Sequence, residues 1–159
     1  MAVARSPAAL SPTEVVRRLY TEVINHDRLD ELDELIAADY VNYGPFPWGV
    51  HDRDDLRRFY LVREMGFPDI KVSIDDIMAA GDVVAYRMTV SGTDTGEFLN
   101  VAPTQRPVSV TGFGWVRVRD GKIAEHWGLI DELGILDQIG VKPESIGRHA
   151  ARRSAPTAV

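Results

Sequence analysis

The chain has 159 residues, of which 45% are hydrophobic and 26% are charged, as expected for one globular domain. It has no cysteine, which excludes disulfides and thiolate chemistry, and its net charge of −6 argues against a nucleic-acid-binding surface. No apolar run approaches the roughly 18 residues that a membrane span needs, and the first residues lack the apolar core of a secretory signal. We therefore expect a cytoplasmic protein with no membrane or nucleic-acid partner.

Helices are predicted in the first part of the chain. Residues 11–14 (Ser-Pro-Thr-Glu) form a capping box with proline at the first helical position. Apolar residues then recur at helical spacing over 15–24. Asp27 is predicted to cap a second helix, and Asp52 a third helix that ends at about Met65.

Extended segments dominate the rest of the chain, where apolar and polar residues alternate. The predicted strands are 40–43, 70–74, 83–91, 108–118 and 122–130. The dipeptide Asp120-Gly121 is typical of a tight turn and joins the last two strands in a hairpin. A short helix is predicted over 132–139. Helices followed by antiparallel strands predict an α+β domain in which a curved sheet wraps over the helices.

The domain is expected to span 11–140. Residues 1–10 and 141–159 are expected to be flexible. The last segment is rich in Ala, Arg, Ser and Pro and could contact an anionic partner, although a solvated terminus is the favoured interpretation.

His126 is the leading candidate for chemistry. An imidazole has an ordinary pKa near 6.5 and exchanges protons at neutral pH. Strand alternation places His126, Gly128 and Ile130 on one face of the last strand, with Trp127 and Leu129 on the other. The alternative is a core histidine that is bound to a backbone carbonyl.

The hairpin register determines what His126 faces. A strict two-residue turn pairs His126 with Trp115, whereas a three-residue loop with a glycine bulge pairs it with Gly114. We favour the second, because it places the even-numbered residues of both strands on one face. Phe113, Trp115 and Trp127 then form an apolar patch on the outer face, which favours a homodimer.

Arg87 and Asp131 are two further candidates. Arg87 lies within a strand, and in a cavity it would polarise a carbonyl or epoxide oxygen; an ion pair with Glu125 or Asp131 is equally compatible. Asp131 could orient His126 or hold a water molecule. The favoured interpretation of Asp131 is an N-cap of the last helix.

Five sequence segments resemble the SnoaL-like polyketide cyclases of the nuclear-transport-factor-2-like superfamily, and in particular their ester cyclase branch. These segments are Gly81–Arg87, Ser91–Phe98, Ala102–Thr104, Asp120–Trp127 and Gln138–Gly140. The resemblance extends from about Pro12 to Gly140. It implies a cone-shaped fold with a strongly curved, mixed or antiparallel sheet wrapped around N-terminal helices, a homodimer, and a His126 that faces the cone interior.

The chain departs from the family's cyclases at two positions and from another group of enzymes with the same fold at a third. Ring-closing cyclases use an aspartate two positions after the histidine that matches His126, and a second histidine on the preceding strand. Gly128 and Gly114 stand at these positions. Arg87 and Asp131 resemble the Arg–Asp arrangement of limonene-epoxide-hydrolase-like enzymes, but Thr89 stands where the second acid would be.

The resemblance also implies a set of substrate-binding residues. Asn42 matches a cavity-lining asparagine that could donate to a substrate carbonyl, or that could satisfy only a turn. The other residues expected to line the cavity or the core are aromatic or apolar. They are Tyr43, Trp48, Tyr60, Met65 and Phe98.

The predicted function is a cofactor-independent acid/base enzyme for an apolar, oxygenated small molecule of polyketide or terpenoid type. The reaction would be a cyclisation, isomerisation or epoxide opening. The histidine spacing fits no metal site, and the chain has neither a phosphate-binding glycine loop nor a nucleophile elbow, so no metal or cofactor is expected. The alternative is a non-catalytic binding module on the same fold, which the substitutions at Gly114 and Gly128 favour.

Overall fold

The computed structural model describes residues 10–44, 49–96 and 102–141, with only the backbone described for 62–65. The segments expected to be flexible, 1–10 and 141–159, lie outside these ranges except for their innermost residues. The described residues include four α-helices. These are α1 (Pro12–Arg18), α2 (Leu32–Leu35), α3 (Arg53–Gly66) and α4 (Glu132–Gln138).

The predicted capping box at the start of α1 is confirmed. The Ser11 backbone N–H donates to Glu14 Oε2 at 2.7 Å, and the Glu14 N–H donates to Ser11 Oγ at 3.4 Å. The helix continues through a π turn, Leu19–Val23, and a 3₁₀ turn, Ile24–His26. The cap at Asp52 is also confirmed, because its Oδ1 accepts from the Asp55 N–H at 2.8 Å.

The expected cap at Asp27 is wrong. Asp27 ends the first helical segment in a left-handed conformation with a φ of 56°, which aspartate tolerates better than most residues. A short 3₁₀ turn, Leu29–Glu31, and the four-residue α2 follow, and neither has a side-chain cap. The second predicted helix is therefore only about one turn of α-helix.

Five strands form one mixed sheet. They are β1 (Ile36–Asn42), β2 (Lys71–Ala80), β3 (Val83–Thr93), β4 (Pro107–Arg119) and β5 (Lys122–Ile130). Their spatial order is β1-β5-β4-β3-β2, with β1 parallel to β5 and all other pairs antiparallel. The curved sheet over helices confirms the predicted α+β fold class.

The core lies between the helices and the inner face of the sheet. Burial alternates strictly along most of β4, where the even-numbered residues from Val108 to Val118 are buried and most odd-numbered ones are exposed. Val15, Val16 and Val23 from the first helical segment belong to the same apolar cluster. This alternation separates the inner face, which holds the candidate site, from the outer face.

The β4–β5 hairpin has a register that neither sequence alternative predicted. Asp120 and Gly121 both have positive φ angles, 52° and 74°, as a two-residue turn requires. Ala124 is then an extra residue in β5, because Ile123 pairs with Val118 and Glu125 pairs with Arg117. This bulge pairs His126 with Val116 instead of Gly114. From His126 onward, the even-numbered residues of β5 share the inner face with those of β4, as expected, whereas before the bulge the buried residue is Ile123.

Candidate active site

His126 lies on the inner face of the sheet with only 9% of its surface exposed. The hydroxyl oxygen of Tyr86 lies 3.2 Å from His126 Nε2. A second buried phenol continues the chain, because the Tyr20 and Tyr86 hydroxyl oxygens are 2.7 Å apart. The π turn after α1, β3 and β5 therefore each contribute one member of a hydrogen-bonded Tyr20–Tyr86–His126 chain.

Two glycines allow this contact across the intervening strand β4. Tyr86 pairs with Gly114, which in turn pairs with Gly128. A Cβ atom on Gly114 would lie 2.1 Å from Tyr86 Cζ, and one on Gly128 would lie 2.7 Å from His126 Nε2. Both distances are shorter than any stable contact. The Tyr86 and His126 side chains thus lie over backbone that carries no side chains.

The space around these groups is small. The inner cavity has a volume of about 50 Å³, enough for a few water molecules but far below the roughly 300–1,000 Å³ of a typical ligand pocket. Large side chains line this cavity, among them Tyr40, Phe59 and Tyr60.

The site is electrically neutral at pH 7. Burial lowers the pKa of His126 from 6.5 to about 4, because desolvation penalises the imidazolium. Burial also raises the pKa of Tyr20, Tyr40 and Tyr86. Among the described residues that line the cavity, the titratable groups are these four and Tyr60. The neutral imidazole is a base held close to two phenolic acids.

Arg87 does not face the cavity, which corrects the expected catalytic placement. It is an odd-numbered residue of β3 and points to the outer face. Its Nη1 lies 2.9 Å from Asp75 Oδ2, and its Nη2 lies 2.7 Å from Asp76 Oδ2. Both carboxylates belong to β2, so neither expected partner, Glu125 or Asp131, is used in these ion pairs. Arg87 ties together two neighbouring strands.

Asp131 caps α4. Its Oδ1 accepts a hydrogen bond from the Gly134 backbone N–H at 2.8 Å, as the favoured sequence interpretation predicted. A Cβ on Gly134 would lie 2.3 Å from Asp131 Oδ2, so glycine at this position permits the cap. The carboxylate thus has a structural role at the end of β5.

Asn42 uses its side chain on the backbone of the following loop. Its Nδ2 donates to the Val50 carbonyl at 3.0 Å, and its Oδ1 accepts from the Gly44 N–H at 3.1 Å. Asn42 also pairs with His126 in the β1–β5 register, and the Tyr43 N–H donates to the His126 carbonyl at 2.8 Å. Asn42 therefore satisfies the backbone of a turn, which was one of the two alternatives from the sequence. Its hydrogen bonds hold the loop beside His126.

The other expected binding residues divide between the two faces. Tyr60 lines the inner cavity. Tyr43 does not, because it is 54% exposed and stacks on Trp127 with ring centroids 4.8 Å apart. Trp48 and Phe98 lie outside the described residues, as does the side chain of Met65.

The outer face of the sheet carries an exposed apolar groove of about 770 Å³. Phe113 and Trp115 are 57% and 46% exposed, and Trp115 packs against Trp127 with centroids 5.1 Å apart. These three aromatic residues are on the face that the sequence predicted. We call this surface, together with Tyr43 and Leu129, the outer patch.

Sequence reasoning missed Tyr20 and Tyr86. Tyr20 was one apolar position of a helix, and Tyr86 was only a neighbour of Arg87. The available signal was the pairing of a tyrosine with a glycine across two strands, which becomes visible only once the β3–β4 register is known.

In the part of the chain that the structure describes, neither a metal site nor a membrane-spanning helix is found. No cluster of three or more His, Cys, Asp or Glu side chains there is arranged to hold a metal ion. None of the helices in 10–44, 49–96 and 102–141 is long and apolar enough to cross a membrane.

Comparison with known proteins finds one consistent group. A family model described as SnoaL-like polyketide cyclase matches residues 14–139. The nogalonic acid methyl ester cyclase of Streptomyces nogalater is 28% identical over 118 residues, which are 73% of this chain and 88% of the relative.

Two solved structures are similar in fold and sequence. IdmH of Streptomyces antibioticus, a proposed polyketide cyclase, is 37% identical with a TM-score of 0.76, covering 83% of this chain and all of that one. AclR of Streptomyces galilaeus, a proposed hydroxylase, is 28% identical with a TM-score of 0.73, covering 83% and 97%.

Proposed function

Because the chain belongs to the SnoaL-like polyketide cyclase family, we propose that it is a cofactor-independent acid/base enzyme that cyclises or isomerises a polyketide-like small molecule. The observation that carries this proposal is the buried His126, which is held neutral beside the Tyr86 hydroxyl. A neutral imidazole can accept a proton from a carbon next to a carbonyl group. The similarity to a nogalonic acid methyl ester cyclase supports a substrate of that class.

Epoxide opening receives less support than proton transfer. The Arg–Asp arrangement that suggested it is not assembled, since Arg87 is paired with Asp75 and Asp76 on the outer face. Asp131 is occupied as the cap of α4. The proposal is therefore limited to reactions that His126 can start by moving a proton.

The filled interior constrains how a substrate binds. A cavity of about 50 Å³ cannot hold a polyketide, which needs several hundred Å³. The interior aromatic side chains must move when the substrate enters. We expect the closed state to exclude water from the reacting groups.

The test is His126→Gln, a substitution of similar size that keeps a hydrogen-bonding side chain but cannot exchange protons at neutral pH. The assay follows the conversion of nogalonic acid methyl ester to its cyclised isomer by chromatography, and binding of the ester by isothermal titration calorimetry. The proposal predicts turnover by the parent and its loss in the variant, with binding retained within about threefold. Equal turnover by the two proteins would disprove a proton-transfer role for His126.

A non-catalytic binding module is the second candidate, and one observation favours it. The outer groove of about 770 Å³ has the volume of a ligand site, whereas the cavity beside His126 does not. In that case the ester would bind without conversion, and Trp115→Ala would weaken binding more than His126→Gln. The enzyme hypothesis predicts that neither substitution weakens binding by more than about threefold and that His126→Gln abolishes turnover.

A homodimer through the outer patch belongs to the same proposal. The resemblance to the family implies this assembly, and the exposed Phe113, Trp115 and Leu129 supply an apolar surface for it. A dimer would cover the outer groove and leave the inner cavity as the available ligand site. The oligomeric state therefore also separates the two functional candidates.

A further inference from the structure

Tyr86 and His126 both line the inner cavity. The Tyr86 hydroxyl oxygen is 3.2 Å from His126 Nε2. This contact gives a proton a hydrogen-bonded route to Nε2 through the Tyr86 oxygen. The Tyr86 ring is 4% exposed and is held at its hydroxyl by Tyr20, which opposes displacement.

We propose that Tyr86 is a catalytic residue whose hydroxyl exchanges the proton with the substrate and relays it to His126 Nε2, and that Tyr20 positions this hydroxyl. This inference rests on the proposed function, because it names the group at the same site that touches the substrate. Nothing in the sequence resemblance assigns a role to either tyrosine.

The direction of the relay follows from the acidity of the groups. A phenol is a stronger hydrogen-bond donor than a neutral imidazole N–H, and the unprotonated imidazole nitrogen is a stronger acceptor than a phenol oxygen. The Tyr86 O–H therefore donates to His126 Nε2, and the Tyr20 O–H donates to the Tyr86 oxygen. Each donation strengthens the next one in a low-dielectric interior. His126 then carries its proton on Nδ1.

Every proton that moves in the relay is returned by the end of the reaction. The substrate C–H bond breaks, its electron pair stays on the substrate as an enolate, and the proton goes to the Tyr86 oxygen while the Tyr86 proton goes to Nε2. The enolate carbon then attacks a second carbonyl carbon of the same molecule, which forms a C–C bond and an alkoxide. The alkoxide takes a proton from Tyr86 as His126 returns its own. The product is an isomer of the substrate, and both side chains are restored.

The surroundings favour a concerted relay over free ions. Among the described residues that line the cavity, the other titratable groups are Tyr20 from the π turn, Tyr40 from β1 and Tyr60 from α3. All three are phenols, and burial raises the pKa of Tyr20 and Tyr40, so these two give neither a phenolate at Tyr86 nor an imidazolium at His126 a charged partner at pH 7. Passing both protons in one step avoids a free phenolate at Tyr86, and the imidazolium that forms at His126 has the enolate of the substrate as its opposite charge.

The contact between Tyr86 and His126 explains why glycine stands at two positions where this chain differs from the family. Gly114 and Gly128 are the positions at which cyclases of the family carry histidine and aspartate. A Cβ at either position would collide with Tyr86 or with His126. We infer that this chain has a different acid/base pair in the same place, made of Tyr86 and His126.

The experiment compares Tyr86→Phe with the parent on nogalonic acid methyl ester. The substitution keeps the ring and removes only the hydroxyl. We expect kcat to fall about 100-fold or more, with KM changed less than about threefold. In mixtures of H₂O and D₂O, the dependence of kcat on deuterium fraction should be curved for the parent, since two protons move, and linear for Tyr86→Phe.

Two matched variants remove a buried hydroxyl from the same cavity. Tyr20→Phe should lower kcat about tenfold or less and keep the curved deuterium dependence, because Tyr20 positions the relay but carries no transferred proton. Tyr40→Phe, whose hydroxyl is outside the Tyr20–Tyr86–His126 chain, should also keep the curved dependence. A linear dependence in Tyr40→Phe would show that the curvature does not report on Tyr86.

Failure of the relay can be distinguished from failure of the proposed function. If His126→Gln is inactive but Tyr86→Phe turns over within about threefold of the parent, the relay is wrong and the proposed function stands. If the parent does not convert the ester, the proposed function fails and the relay fails with it. Nitrogen-15 NMR of labelled histidine tests the relay without turnover, even if Tyr86→Phe does not fold: in the parent, finding the proton of His126 on Nε2 would overturn it.

Discussion

Gly114→Ala tests whether glycine at this position is what allows the Tyr86–His126 contact. The added methyl carbon would lie 2.1 Å from Tyr86 Cζ, 2.2 Å from its hydroxyl oxygen and 2.6 Å from Cε1. The Tyr86 ring would have to move by more than 1 Å to reach ordinary contact distances of about 3.5 Å or more, which breaks its hydrogen bond to Nε2. Overpacking of this kind costs about 1–3 kcal/mol. The loss of glycine flexibility in a strand returns roughly 0.5–1 kcal/mol.

We therefore expect Gly114→Ala to lower the free energy of unfolding by about 1–2 kcal/mol. For a chain of this length the midpoint of thermal unfolding would fall by about 2–8 °C. Urea unfolding followed by far-ultraviolet circular dichroism measures the first quantity, and the His126 nitrogen-15 shifts report the broken hydrogen bond. Unchanged stability together with unchanged shifts would refute the reasoning.

Two comparisons isolate the cause. Gly112→Ala lies on the same strand and face, but its closest contact is the terminal methyl of Met88 at 2.7 Å, a flexible group that can yield. It should cost less and leave the His126 shifts unchanged. In a Tyr86→Ala background, Gly114→Ala should become neutral or stabilising, which gives a coupling of about 1.5–3 kcal/mol between the two positions.

Three further predictions concern stability and assembly. The folded pKa of His126 is about 4, below the value near 6.5 expected in the unfolded chain, so the parent should lose up to about 3 kcal/mol as pH falls from 6.5 to 4. Urea unfolding across this range should show a smaller loss for His126→Gln, and equal losses would contradict the shift. Asp131→Ala should cost about 1 kcal/mol through the lost cap, with Asp131→Asn costing clearly less in the same assay. Trp115→Glu should convert a dimer to a monomer in analytical ultracentrifugation, whereas Met78→Glu at the edge of the outer groove should weaken the dimer less; a Trp115→Glu dimer would exclude the outer patch as the interface.

The sequence predicted those elements whose signals are local. The capping box at Ser11 and the cap at Asp52 were identified correctly, because a cap depends on residues only three positions apart. The Asp120-Gly121 turn was also identified from the dipeptide alone. Asp27 was misassigned because aspartate is favoured both as a helix cap and in the left-handed conformation that ends a helix. Sequence alone does not distinguish these uses.

The candidate site was predicted less well, because it depends on register. His126 was placed on the inner face although its pairing partner was wrong. The bulged residue Ala124 shifts the pairing of β5 by one residue, and the predicted extra loop residue would also shift it by one, so both arrangements put His126 on the same face. Arg87 was misplaced because no sequence signal showed whether the odd-numbered or the even-numbered residues of β3 face inward. Once Tyr86 is known to face inward, alternation requires Arg87 to face outward, where Asp76 lies opposite it in the register.

A missing side chain at a family's catalytic position has two meanings that sequence cannot separate. It can mark lost chemistry, or it can make room for a group from a neighbouring strand. At Gly114 and Gly128 the space is taken by two titratable side chains whose polar atoms meet at 3.2 Å. Apolar groups would fill such gaps without any polar requirement, whereas a buried polar group must find a partner to avoid a cost of about 1–3 kcal/mol. The hydroxyl–imidazole contact at this place therefore favours the proposed proton relay over simple packing.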